Sequence, residues 1–259
     1  MKNIIDTLGR TDIATKTVTC EKHGDFESRN WIGSVWSKCP DCAADEQKAQ
    51  DEQAAIEERK QRKLRWQAKI KGSGIPERFH ARTLDTYEAT TQEQRTALEF
   101  AKDYAHNFDQ VMKTGRCAVF VGNPGTGKTH LACGIGLRIM GTQQRTVLFI
   151  TVQRAIRRIK DTWVKGCEES ESQVIEALTF PDLLILDEVG VQFGSDFEKN
   201  ILFDILNERY EKRRPTILMS NLSVKEVMGY LGDRVADRLR EDGGKVIPFN
   251  WGSHRGEWK

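Results

Sequence analysis

The chain has 259 residues, 40 Lys or Arg against 38 Asp or Glu, and a formal net charge of +2, which leaves room for one or two domains and a sizeable core. Near-neutrality excludes a blanket electrostatic attraction to nucleic acid, so any basic surface must be local. No run approaches the roughly 20 apolar residues of a bilayer span, and MKNIIDTLGR at the N-terminus lacks the apolar stretch of a secretory signal; the expectation is a cytoplasmic protein without a membrane partner.

Composition divides the chain into residues 1–45, 46–75 and 76–259. The first part holds three of the six cysteines. Cys20-x-x-His23 and Cys39-x-x-Cys42 are separated by 15 residues, a four-ligand set with zinc-knuckle spacing. Each x-x pair lets two ligands grip one ion from a tight turn, and Gly24 and Pro40 suit such turns. About 45 residues bury little core, so a metal staple is expected to stabilise them. Cys117, Cys133 and Cys167 lie singly in apolar or mixed segments and read as small core residues. Residues 45–71 are almost all helix formers, without Gly or Pro and without a continuous apolar stripe, which predicts a solvated helical linker ended by GSGIPERF at 72–79.

From about residue 80 the pattern is α/β. Ala97, Phe100, Ala101, Tyr104, Ala105 and Phe108 recur at helical spacing, predicting a helix that ends near Gly115. CAVFVG (117–122), TVLFIT (146–151), DLLILDEV (182–189) and PTILMSNL (215–222) read as strands. The segments 129–140, 153–166 and 199–213 between them read as helices. Near-continuous apolar strands alternating with helices predict a parallel sheet covered on both faces.

Gly122-Asn123-Pro124-Gly125-Thr126-Gly127-Lys128-Thr129 fits G-x-x-x-x-G-K-[ST] at every fixed position, between an apolar strand and a helix. Backbone N–H groups can converge on phosphate oxygens only where glycines take φ > 0 and place no side chain in the way. The following helix adds its partly positive N-terminus. The nucleotide contacts are expected to run from Gly122 to His130, with Lys128 on the β and γ phosphates of ATP or ADP and the Thr129 hydroxyl on magnesium. Leu183–Leu186 then carry Asp187 to the end of a strand, where it can join the magnesium shell, and Glu188 follows as the base that polarises the attacking water. Together these predict an ATPase. Downstream, Asn221 ends the next strand, and Arg234, Arg238 and Arg240 recur at helical spacing, as either a solvated face or a nucleotide-facing edge.

Taken in order, VFVGNPGTGKTHLA, VLFITV, LLILDEVG, ILMSNL, LGDRVADRLRE and FNWGSHR resemble the DnaC-type helicase loaders of the AAA+ class, relatives of the DnaI-like loaders and the IstB-type transposition ATPases. The resemblance covers residues 72–259 or thereabouts, and LGDRVADRLR with FNWGSHR is its specific part. It implies an AAA+ P-loop domain, preceded by the zinc module and the charged helix, that delivers a hexameric replicative DNA helicase to single-stranded DNA. By the same likeness Asn221 is sensor 1, Arg238 the arginine finger offered to a neighbouring subunit, with Arg234 one turn earlier as the alternative, and Arg255 the sensor 2 residue in cis. A finger in trans makes hydrolysis depend on self-association. Gly252 and His254 depart from the family, which has an acidic residue and Tyr there. The basic helix, with Arg154, Arg157, Arg158 and Trp163, is either the element that faces single-stranded DNA or a solvated face. The zinc module engages the helicase in DnaI-like loaders, which implies the same docking role here. The rival reading is a transposition helper that binds duplex DNA.

Overall fold

The computed structural model describes residues 14–32, 35–190 and 196–254. The chain divides into two compact units, Met1–Arg65 and Trp66–Lys259. In the first, β1 (Thr15–Cys20) turns at residues 21–23 into β2 (Gly24–Ile32), which pairs in turn with the short β3 (Val35–Trp36); both pairings are antiparallel. Gly24, at φ 79°, takes the left-handed conformation the turn requires. Helix α1 (Pro40–Gly72) follows, with Pro at its first position, where the missing N–H has no intrahelical partner to lose. It runs 33 residues, starting earlier than composition predicts, and up to Arg65 its side chains are almost all exposed. That matches the absence of an apolar stripe.

Beyond the last turns of α1, the second unit continues with α2 (Gln92–His106), set by a capping box between Thr91 and Gln94, and α3 (Phe108–Thr114). The single helix expected there breaks at Asn107, and Gly115 at φ 80° ends it in the left-handed cap. The rest alternates: β4 (Ala118–Gly122), α4 (Lys128–Thr142), β5 (Val147–Thr151), α5 (Val152–Asp161), α6 (Glu171–Thr179), β6 (Leu183–Asp187), α7 (Asp196–Glu211), β7 (Thr216–Ser220), α8 (Val224–Leu231), α9 (Asp233–Arg240) and β8 (Lys245–Phe249). The sheet is parallel, in the order β5-β6-β7-β4-β8.

Strands β4, β5, β6 and β7 are largely apolar because alternate residues enter different cores. Ala118, Phe120, Leu183, Ile185, Ile217 and Met219 pack with α2, α3 and α4 on one face. Val119, Val121, Leu184, Leu186 and Leu218 pack with α5, α6, α7 and α9 on the other. Two expectations are corrected. The basic helix ends at Asp161, where the Thr162 hydroxyl donates to the Ile159 carbonyl at 2.7 Å and Trp163 leaves to meet the Phe197 ring. Cys167 is exposed in the turn beyond, whereas Cys133 is buried as expected.

Candidate functional site

The loop between β4 and α4 is built by its glycines. Gly122, Gly125 and Gly127 have φ of 133°, 79° and 98°, strained for any L side chain. At Gly122 a Cβ would lie 2.3 Å from the Phe249 carbonyl oxygen, and at Gly127 it would lie 2.8 Å from the Tyr87 ring. The Thr126 hydroxyl donates to the Asn123 carbonyl at 2.8 Å, and Lys128 Nζ donates to the carbonyls of Gly122 (2.6 Å) and Asn123 (2.8 Å). These bonds close the loop into a ring. No side chain caps α4 at Gly127, so its first N–H groups are left for an anion.

Asp187 ends β6 beside this ring. Burial pushes its carboxyl up from the usual carboxylate range, while the Glu188 N–H (2.9 Å to Oδ1), the Lys128 charge and the Thr129 hydroxyl pull it back. Glu188 is exposed and held at φ 62°, a conformation that non-glycine residues adopt rarely. The segment after it is tied to β7: Val189 N–H donates to Met219 O at 2.9 Å, and the buried Ser220 hydroxyl donates to Val189 O at 2.6 Å. Because β7 lies between β6 and β4, Asn221 stands at the strand end between Glu188 and the glycine loop. Asp187, Thr129 and Lys128 are thus brought together, with Glu188 and Asn221 at the adjoining strand ends. Oxygen donors from Thr129 and Asp187 are the hard ligands that magnesium takes.

A cleft of about 490 Å³ opens beside Thr129 and His130, lined also by Arg78, Phe79, Arg82, Thr86, Tyr87, Glu88 and His254. His130 Nε2 meets the Thr83 carbonyl at 2.9 Å, and burial lowers the imidazole's affinity for a proton. Past β8, Trp251 Nε1 donates to Thr126 O at 2.8 Å and the His254 N–H to Gly125 O at 3.0 Å. The Tyr87 hydroxyl, raised to about 12 by burial, reaches Thr126 O at 3.4 Å. Tyr87 and Trp251 are absent from the sequence-derived site, because contacts across 39 and 125 residues leave no local signature.

The trans elements are placed differently. The Arg238 guanidinium lies 4.8 Å from the Tyr210 ring centroid and 6.0 Å from that of Phe203, with Nη1 buried and unpartnered among the described residues. Arg234 is exposed, 5.5 Å from the Phe203 centroid. Arg255 lies outside the described residues. On α5, Arg154 and Arg157 are exposed and Arg158 is paired with Glu169; beyond the helix, Trp163 donates to Glu171 at 2.9 Å.

In the first unit, Cys20 at the end of β1 and His23 in the turn meet Cys39 and Cys42 at the start of α1, all four donor atoms lying within 4.8 Å of one another. His23 Nδ1 is 3.8, 3.7 and 3.4 Å from the sulfurs of Cys20, Cys39 and Cys42, and the Cys20 and Cys42 sulfurs are 3.4 Å apart. A tetrahedron with zinc–sulfur and zinc–nitrogen bonds of ordinary length has edges of about 3.5–3.8 Å. The Lys22 N–H lowers the Cys20 thiol, whereas Cys20 itself raises Cys42, a crowding of sulfur that a dication relieves. The donor set could hold zinc.

Residues 46–243 match the model of the family described as IstB-like ATP binding protein. A relative named replicative helicase loader DnaC, from Escherichia coli (strain K12), is 36% identical over 212 residues, 80% of this chain and 84% of the relative. One of the same name from Buchnera aphidicola subsp. Baizongia pistaciae (strain Bp) is 32% identical over 256 residues, 98% and 97% of the two chains. A solved structure, the crystal structure of the DnaC helicase loader, matches with a TM-score of 0.60 at 25% identity, covering 67% of this chain and 99% of that one.

Proposed function

The chain belongs to the family of IstB-like ATP binding proteins, and from that premise we propose that it is an AAA+ ATPase that loads a replicative helicase onto single-stranded DNA. The observation that carries this reading is the likeness to replicative helicase loaders over 98% of the chain, N-terminal unit included. The IstB-type alternative, a transposition helper on duplex DNA, is less supported: its likeness rests on the family description alone.

In the ATPase unit the loop from Gly122 to Thr129 takes the phosphates, with Lys128 leaving the Gly122 and Asn123 carbonyls to meet them. Thr129 and Asp187 hold magnesium, which supplies charge neutralisation on the phosphate oxygens. Glu188 orients the attacking water, and Asn221 stands beside it. The cleft at Tyr87, His130 and His254 fits the base and ribose, being lined by rings and polar groups. Arg238, drawn off Tyr210, completes a neighbour's site, so hydrolysis depends on self-association; Arg255 contributes from its own chain. Arg154 and Arg157 on α5 are the cations exposed for DNA phosphates. The zinc-held N-terminal unit docks the hexameric helicase, and the protein works in the cytoplasm.

The test is co-elution with the host's hexameric replicative helicase, using the full chain and a chain lacking residues 1–71. Binding by the full chain alone is expected. Failure of both, with hydrolysis stimulated by duplex DNA, would instead establish the transposition reading. Glu188→Gln should retain ATP and lose turnover by on the order of 100-fold or more; unchanged turnover removes Glu188 from the role.

A further inference from the structure

The glycine loop is held from outside by the segment that follows β8, at two successive peptide units. The Gly125 carbonyl accepts the His254 N–H at 3.0 Å. The Thr126 carbonyl accepts the Trp251 indole N–H at 2.8 Å, and the Tyr87 hydroxyl at 3.4 Å. In a planar trans peptide the C=O and the N–H point in opposite directions. Anchoring the Gly125 and Thr126 carbonyls toward the C-terminal segment therefore turns the N–H groups of Thr126 and Gly127 away from it. Those N–H groups belong to the stretch that must converge on phosphate.

We propose that Trp251 is a positioning residue for the phosphate loop: its indole N–H fixes the Thr126–Gly127 peptide so that the Gly127 N–H is aimed at the nucleotide phosphates before they arrive. The ring is suited to this. Trp251 is partly buried against the core on the sheet's α4 side, its centroid 4.8 Å from that of Phe249, and Phe249 ends the strand whose backbone touches Gly122. Strand β8 thus meets the loop at its first residue, and Trp251 meets it again four residues on. Gly127, at φ 98°, has no side chain to restrict its φ, so the orientation of this peptide is selected by the partners of its carbonyl, Trp251 and Tyr87. A preorganised cradle spends no binding energy on ordering the loop.

The inference rests on the ATP-binding reading, and its test separates the two. Trp251→Phe keeps a ring on Phe249 and removes the N–H. Titration of Mg·ADP by calorimetry should give a dissociation constant on the order of 3- to 10-fold higher than wild type, the value of one hydrogen bond. In steady-state hydrolysis the loss should fall on KM for ATP rather than on kcat. In nitrogen-labelled wild-type protein, the indole N–H resonance missing from the variant should shift as Mg·ADP is added, saturating with the calorimetric constant. A folded variant that binds ADP as wild type does, even with a lowered Tm, overturns the proposal and leaves Trp251 a packing residue. An indole resonance that ADP does not move overturns it independently of the variant's folding. Wild-type protein that binds no nucleotide overturns the ATP-binding reading itself.

Discussion

Among the described residues of Met1–Arg65, Cys39 and Ser28 are the buried side chains, whereas the second unit buries both faces of a five-stranded sheet. The first unit concentrates its long-range order in four donor atoms within 4.8 Å; the second spreads it over two apolar layers. On the zinc reading proposed above, the first region would draw its stability from a metal, whereas the second draws it from apolar burial. Burial by Phe120, Leu186 and Leu218 holds the sheet without help from the glycine loop, so the loop can keep three glycines at positive φ, and the end of β6 can hold Glu188 in a left-handed conformation that is strained for a side chain. Strain of that kind persists only where surrounding structure over-determines it.

The largest expected effect breaks the comparison at the metal. Chelation, or Cys39→Ser, should remove about one zinc per chain and unfold β1–β3, a loss of roughly 10 kcal/mol of binding-coupled stability. The melting transition of the ATPase unit should stay where it was, as read by circular dichroism with metal analysis. Next, Phe120→Ala should destabilise the ATPase unit by about 3–5 kcal/mol, from transfer and cavity terms, while zinc content is unchanged. Denaturant unfolding of the two variants together tests whether the units are independent. Thr91→Ala removes one half of the α2 capping box and should lower the same transition by about 1 kcal/mol. The smallest effect is on pH. Burial lowers the folded-state pKa of His130 below its ordinary 6.5, so the unfolded chain binds a proton that the folded chain refuses. The ATPase unit's stability should therefore fall as pH drops through and below 6.5, with no change from this group above it; His130→Gln should flatten that slope.

Much of the second unit is legible in sequence, because the chemistry of its loops is local. Three glycines, Lys128 and Thr129 within eight positions can be read as a phosphate loop, and four apolar residues before Asp187 place it at a strand end. The spacing of Cys20, His23, Cys39 and Cys42 is likewise a local signature. The remainder depends on partners distant in the chain. Strand β8 is short, mixed in character and contains Pro248, so its pairing with β4 has no periodic signal. Arg209, a cation on α7, is buried and its pKa lowered to about 9 by that burial, its guanidinium donating to the carbonyls of Leu178, Thr179, Pro181, Asp182 and Pro215. No pattern in the helix announces that five carbonyls from other segments will converge on it. Cys167 fails in the opposite direction: its apolar neighbours Trp163 and Val164 are themselves exposed, so hydrophobic company did not mean burial.

The most direct test of the central claim is a loading assay on closed circular single-stranded DNA, with the hexameric replicative helicase of the same host and ATP. The account predicts that helicase becomes stably associated with the circle only when the full chain is present, and that a chain lacking residues 1–71 does not substitute. Helicase loading that is the same with and without the protein would contradict it.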